Sequence, residues 1–196
     1  MRFLGSAVIV LSLCVAAWAQ DTASNPTLKT IFSRKSVRTF KDAPVSKETL
    51  DTLVRAGMAA PTAVDKRPWE FIVITDRATL NKLAEALPYA KMAAQAGGAI
   101  MVCGDTEKQF GGAGEKYWIM DCSAASENIL LAAESMGLGA VWTSVYPNEE
   151  RVKAARTILG VPAKVIPLNF IPIGVSDGDP KPKDKYNPQQ IHWEKW

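Results

Sequence analysis

The stretch from Tyr117 to Met136 limits what this chain can fold into more than any other. It reads as the longest helix, and its apolar residues, among them Ile119, Ile129, Leu130 and Ala133, spread around most of the circumference. A helix apolar on most sides has no face suited to water. It must be enclosed by the chain's own core or by a second subunit. Gly137 and Gly139 end it, as glycine commonly ends helices.

The other elements can be read around it. Ser46 precedes Leu50, Leu53, Val54 and Met58, a capped helix running to about Ala60, where Pro61 stops it. Trp69 to Thr75 is a short β-branched strand. Asp76 caps a helix through Leu80, Leu83 and Leu87, ended by Pro88. Ala99 to Cys103 is a second strand between glycines, and Ala140 to Thr143 a third. A helix over Asn148 to Leu159 ends at Gly160. Val165 to Val175 is a strand region interrupted by Pro167 and Pro172, so edges or bulges are expected there. The tail from Ser176 to Trp196 is polar and rich in Pro and Lys, yet carries Ile191, Trp193 and Trp196. Such residues fit a tail that wraps another surface. The fold class is α+β, or α/β with a mixed sheet.

The N-terminus is a different material. Arg2 is the only charge before Asp21, an apolar run spans Ala7 to Ala17, and Ala17-Trp18-Ala19 follows. This is the pattern of a signal peptide, residues 1–19, cleaved after Ala19. The expected location is outside the cytoplasm, in the periplasm. The apolar run is shorter than the ~20 residues of a membrane span, so no stable span is expected. The mature chain keeps Cys103 and Cys122, both on apolar segments, which read as buried free thiols although export permits a disulfide.

Several chemistries are poorly supported. The single histidine, His192, lies in the tail, which disfavours a serine or cysteine nucleophile with a histidine base. No CxxC or HExxH occurs, so no metal site is expected. The net charge of +3 is too small to argue for nucleic acid. Gly111-Gly112-Ala113-Gly114 lacks the Gly-Lys-Ser/Thr ending of a phosphate loop and reads as a flexible loop.

Two segments carry chemistry instead. Arg34-Lys35-Ser36-Val37-Arg38 gathers cations and a hydroxyl in a short span. Guanidinium forks and hydroxyls match phosphate oxygens in charge and geometry, though a solvated basic turn would look the same. Pro61 to Pro68, built around Pro61, Thr62, Ala63, Asp65 and Arg67, is a turn-rich loop entering a strand. Such a loop can offer backbone groups to a flat heteroaromatic ring. Trp142-Thr143-Ser144 sits at a buried strand end and can do the same, and Lys183 and Lys185 form a second basic pair.

Taken in order, these stretches resemble the nitroreductase family of FMN-dependent oxidoreductases. The resemblance runs over Arg34 to Phe40, Ala59 to Phe71, Trp118 to Gly139 with its Asp121-Cys122-Ser123-Ala124-Ala125-Ser126-Glu127-Asn128 core, Gly139 to Pro147, and Lys183 to Trp196. It covers about residues 28–196, taken as one FMN-binding domain. It implies an α+β fold with a mixed sheet flanked by helices, in an intertwined homodimer with FMN at the subunit interface. By position, Arg34, Lys35, Ser36 and Arg38 would hold the phosphate and ribityl chain and reach the ring. Lys183 and Lys185 would complete the phosphate clamp. Pro61, Thr62 and Ala63 would line the isoalloxazine from the other subunit, and Thr143 and Ser144 would sit beside its N5 edge, next to Trp142.

The implied activity passes hydride from NAD(P)H through flavin N5 to a nitroaromatic, quinone or similar acceptor, with no catalytic side chain required. Tyr89 and Tyr117 are candidate substrate contacts, and the Gly111 to Gly114 loop a candidate wall of the open face. Two departures stand out. Asp65 and Arg67 replace the family's usual Asn and Gln, and ionised Asp65 cannot donate a hydrogen bond. Arg67 would instead add positive charge near a reduced flavin. The signal peptide separates the protein from the cytoplasmic NAD(P)H pool, which motivates an alternative: an exported FMN carrier or electron relay. A third reading is an exported dimeric interaction domain that keeps only the scaffold.

Overall fold

Side-chain caps set most helix starts. The computed structural model describes residues 25–112 and 114–196, so the expected signal segment lies outside the described residues. Asn25 accepts from the Thr27 and Leu28 N–H groups and opens α1 (Pro26–Ser33). Ser46 caps α2 (Lys47–Met58) by accepting from Thr49 N–H. Asp76 caps α3 (Arg77–Ala86) through Thr79, and Asn148 caps α5 (Glu149–Leu159) through Arg151. These bonds satisfy amide donors that no helical carbonyl can reach. Gly160, at φ 67°, closes α5 in the left-handed region. Between α3 and α5 runs the longest described helix, α4 (Tyr117–Ser135).

Five strands form one sheet: β1 (Trp69–Ile74), β2 (Gly98–Asp105), β3 (Gly139–Ala140), β4 (Thr143–Ser144) and β5 (Val165–Gly174). Their order is β1-β2-β5-β3, with β4 also on β5. All these pairs are antiparallel. The five strands thus form an antiparallel sheet rather than the mixed one expected, and the parallel pairing of Ser36 with Ala140 is an isolated bridge outside them.

Strand alternation divides the core into two layers. Ile100, Val102, Ile171 and Ile173 face α2 and α4. Ala99, Met101, Cys103 and Phe170 face the other way, onto Leu80 and Leu83 of α3 and Ala155 of α5. The two prolines of β5 act where strand prolines must. The register shifts between Val102 and Cys103, leaving Leu168 as the extra residue beside Pro167. That bulge turns Leu168 and Asn169 to the same layer. Ala140 pairs with Ile173 and Thr143 with Phe170, so Ile171 and Pro172 have no ladder partner on that side. The single third strand expected over Ala140 to Thr143 is therefore two short pieces. Pro172 has no N–H with which to continue the ladder.

The remaining expectations for local structure map closely onto these elements. Cys103 and Cys122 are buried and unlinked. Helix α4 buries Trp118, Cys122, Ala125, Ile129, Leu130 and Ala133 in this chain, while Met120 on its far side stays 60% exposed. No residue of α1 is buried. In the tail, Trp193 and Trp196 are 83% and 100% exposed. Among the described residues, no helix is long and apolar enough to cross a membrane.

Candidate active site

The segment after α1 connects two clefts. Arg34 lies in the first, about 620 Å3, with Ile31, Phe32, Lys183, Lys185 and Tyr186. Two distant basic segments thus meet. Asp184 also lines this cleft, and Arg34 Nε holds Glu127 of α4 at 2.9 Å. Lys35 is turned the other way and binds Glu134 at 2.8 Å, outside this cleft. Glu127 and Glu134 are seven residues apart on α4, two turns along one face, so the helix engages consecutive cations. Ser36 is exposed and bridges to Ala140. Val37, fully buried, donates its N–H to the Ala140 carbonyl at 3.0 Å.

Arg38 then enters the second cleft, about 610 Å3. Its floor is Val141, Trp142, Thr143 and Ser144, and its walls include Pro88, Tyr89, Lys91, Met92 and Arg151. The Thr143 hydroxyl donates to the Phe170 carbonyl at 2.6 Å, so that side chain holds the sheet together. Arg38, Lys91 and Arg151 give this lining three cations and no carboxylate. Tyr89, a candidate substrate contact, lines this cleft. Tyr117, the other candidate, lies outside it and packs edge-on against Phe110, with ring centroids 5.4 Å apart. Gly111, Gly112 and Gly114 do not line the cleft either.

The Pro61 to Arg67 loop stands apart from both clefts of its own chain. It is held in an unusual backbone path. Val64, Asp65 and Arg67 all have positive φ, at 47°, 54° and 50°. Left-handed backbone disfavours β-branched residues above all, so Val64 is strained. Two anchors hold the loop: Ala63 N–H donates to buried Asp121 Oδ1 at 2.9 Å, and Arg67 N–H to Thr62 Oγ1 at 3.2 Å. Asp65 and Arg67 form a fork with each other, at 2.7 and 2.5 Å. The Arg67 guanidinium holds the Asp65 carboxyl below its usual range. In this arrangement the positive charge expected of Arg67 is compensated two residues away.

Lys91, Met92 and Arg151 were not legible as site residues. Lys91 begins a short 3-10 turn after Pro88, and Arg151 lies in the first turn of a capped helix. Both read as ordinary surface cations. The one signal was Pro88-Tyr89 at the end of α3, a break followed by an aromatic.

A model of the nitroreductase family matches residues 31–87 and 86–175. A relative from Methanothermobacter thermautotrophicus, provisionally named NADH dehydrogenase/NAD(P)H nitroreductase, is 46% identical over 171 residues, covering 86% of this chain and 87% of its own. The chain belongs to the nitroreductase family. A crystal structure of a family member from Parabacteroides distasonis with the same provisional name superposes with TM-score 0.84 at 55% identity, covering 88% of this chain and 100% of that one. An FMN-dependent nitroreductase from Clostridium difficile superposes with TM-score 0.78 at 31% identity, covering 85% and 98%. The nitroreductase fold is therefore present over nearly all described residues.

Proposed function

We propose that this nitroreductase-family chain is an FMN-dependent oxidoreductase. It takes hydride from NAD(P)H and delivers it to a nitroaromatic, quinone or similar acceptor. The observation that carries this reading is the run from Arg34 to Arg38. It starts in a cleft shared with Lys183 and Lys185 and ends in a cleft floored by Trp142 to Ser144. Four residues of extended chain span at most ~14 Å. A molecule with a phosphate at one end and a flat ring at the other suits that arrangement.

The donor set fits such a group. Arg34, with its Nε taken by Glu127, offers its two Nη groups, and Lys183 and Lys185 offer ammonium donors to a phosphate. Ser36, exposed between the clefts, is positioned for the connecting chain. Arg38 and Lys91 bring positive charge to the ring cleft, where it favours negative charge gathered on a reduced ring. Ser144 and Trp142 supply backbone at the cleft floor. When bound, FMN supplies reversible hydride acceptance at its N5. The protein's part is to hold, orient and shield it.

The same reading makes the protein a homodimer. The Pro61 to Arg67 loop lines neither cleft of its own chain, so it is available to a partner's ring site. Exposed Phe32, Met120, Trp193 and Trp196 supply apolar surface for the contact. The names of the Methanothermobacter and Clostridium relatives support the activity and the cofactor.

The test is an absorption spectrum of purified residues 20–196, before and after anaerobic NADPH. A flavin band that bleaches is the expected result. No band, even after reconstitution with FMN, overturns the proposal. The signal-like pattern of residues 1–19 favours a second reading, an exported FMN carrier or relay. A bound band that neither NADH nor NADPH bleaches would select it.

A further inference from the structure

The ring cleft has a second cationic pole, Arg151, to which the proposed cofactor arrangement assigns no part. Its floor, Val141 to Ser144, follows directly on Ala140. At one end, Val37 bonds to the Ala140 carbonyl and delivers Arg38. At the other end, Arg151 Nη1 reaches the Ser144 carbonyl at 3.4 Å. These carbonyls are four residue steps apart, ~13 Å of extended chain. The two arginines are thus anchored at opposite ends of the floor.

Arg151 is held for binding. One N–H faces the Ser144 carbonyl, and the guanidinium carbon lies 4.8 Å from the centroid of the Tyr89 ring. The cation–ring contact holds the guanidinium over the Tyr89 ring. Arg151 enters none of the salt bridges found among the described residues. Its remaining N–H donors are free of any carboxylate there, in a cleft without acidic lining. Tyr89, 66% exposed, adds an open aromatic surface beside it. A planar fork next to an exposed ring suits an aromatic molecule bearing an oxyanion.

We infer that Arg151 and Tyr89 form the specificity corner of the cleft, selecting a ring-bearing molecule with an anionic substituent. The inference rests on the flavin oxidoreductase reading for the identity of that molecule as a redox partner. The anion has two sources: a carboxylate on the acceptor, or a phosphate on the nicotinamide donor.

Two measurements on wild type and Arg151→Gln separate these possibilities. The first is kcat/KM for the matched pair 4-nitrobenzoate and nitrobenzene, and for NADPH and NADH. An acceptor role predicts that the 4-nitrobenzoate to nitrobenzene ratio falls about tenfold or more in the variant, the usual scale for losing a charged hydrogen bond. A fall confined to the NADPH to NADH ratio assigns the anion to the donor. Constant ratios in both overturn the inference. Arg151→Lys keeps the charge without the fork and should recover only part of the loss.

The second is calorimetric titration of 4-nitrobenzoate and of inorganic phosphate into the flavin-loaded protein without reductant. An affinity for at least one of them that drops in Arg151→Gln supports the corner. Equal affinities in wild type and variant, or no binding of either by wild type, count against it. This readout needs no turnover. A protein that binds the anion yet leaves its flavin unbleached by both NADH and NADPH would sink the oxidoreductase reading and leave the corner standing.

Discussion

The backbone N–H of Ala63 donates to the buried carboxylate of Asp121, tying a strained loop to the second turn of the sheet-packed helix α4. The other oxygen, Oδ2, is buried and has no hydrogen-bond partner among the described residues. Burying a carboxylate in this way is costly unless the bonds it makes matter. Here the bond fixes a loop whose residues Val64, Asp65 and Arg67 occupy the left-handed region. Asp121→Ala is expected to destabilise the protein by about 1–3 kcal/mol, the cost of leaving a donor unsatisfied. It should also weaken flavin retention. Urea denaturation and the flavin-to-protein absorbance ratio of the same preparation measure both. A stable variant with full flavin content would show that the loop holds itself.

Gly139 leaves room that a methyl group would take from Val37. A Cβ there would lie 2.6 Å from Val37 Cγ1, well inside contact distance. Val37 is 1% exposed and cannot swing into solvent. Gly139→Ala should therefore cost about 1–3 kcal/mol by overpacking. Val37 carries Arg38 into the cleft, so the same change should displace Arg38. Gly137→Ala is the contrast. Nothing crowds that position, and its penalty comes only from a φ of 72°. Comparing thermal unfolding and flavin affinity in the two variants separates general loss of stability from displacement of the cleft.

Local chemistry made much of the fold legible. Asn25, Ser46, Asp76 and Asn148 cap helices as short polar residues do, and Pro167 and Pro172 mark the bulge and the ladder gap. Arg34, Arg38, Lys183 and Lys185 stood out by charge, but only the family resemblance brought the two basic segments together. Lys91 and Arg151 did not stand out. Their place in the cleft depends on the register that brings Ser144 against Asn169, and on α5 starting just beyond it. No local pattern encodes that register. Asp121 was visible within a motif, but its bond to Ala63 spans 58 residues and depends on the rotation of α4. The fork between Asp65 and Arg67 needed backbone angles that only the folded loop reveals.

Cys103 and Cys122 give the protein a pH dependence at the alkaline end. Burial pushes the Cys103 thiol up to about 12, and it pushes Cys122 in the same direction. In the unfolded chain such thiols ionise near ~8.5. Between those values the unfolded state has released protons that the native state keeps, so stability falls as pH rises. Below pH ~8.5 the contribution is fully present. Each thiol adds a slope of up to about 1.4 kcal/mol per pH unit. Urea unfolding at stepped pH from 8 to 10.5 should show a steeper decline for wild type than for the Cys103→Ala, Cys122→Ala double variant. The comparison is of slopes, so a uniform loss of stability from the smaller side chains does not affect it. Parallel declines would mean the thiols are less enclosed than their burial indicates. Native protein should also react with a thiol reagent only at the rate of unfolding.

Lys183 and Lys185 offer the sharpest test of the cofactor assignment, because riboflavin and FMN differ only in the phosphate. The two lysines share a cleft with Arg34, whereas Lys35 is engaged by Glu134 at 2.8 Å. Replacing both tail lysines by alanine should raise the FMN dissociation constant about tenfold to a hundredfold, the range for losing charged hydrogen bonds. Lys35→Ala should change it less. Riboflavin affinity should be nearly the same in wild type and the double lysine variant. The FMN affinity of wild type should fall with added salt, and the double variant should show a shallower dependence, since less charge remains to be screened. Fluorescence quenching of each flavin titrated into apoprotein measures all of these quantities. If the double variant weakens FMN and riboflavin equally, the tail organises the fold rather than the phosphate, and the cationic cleft loses its proposed role.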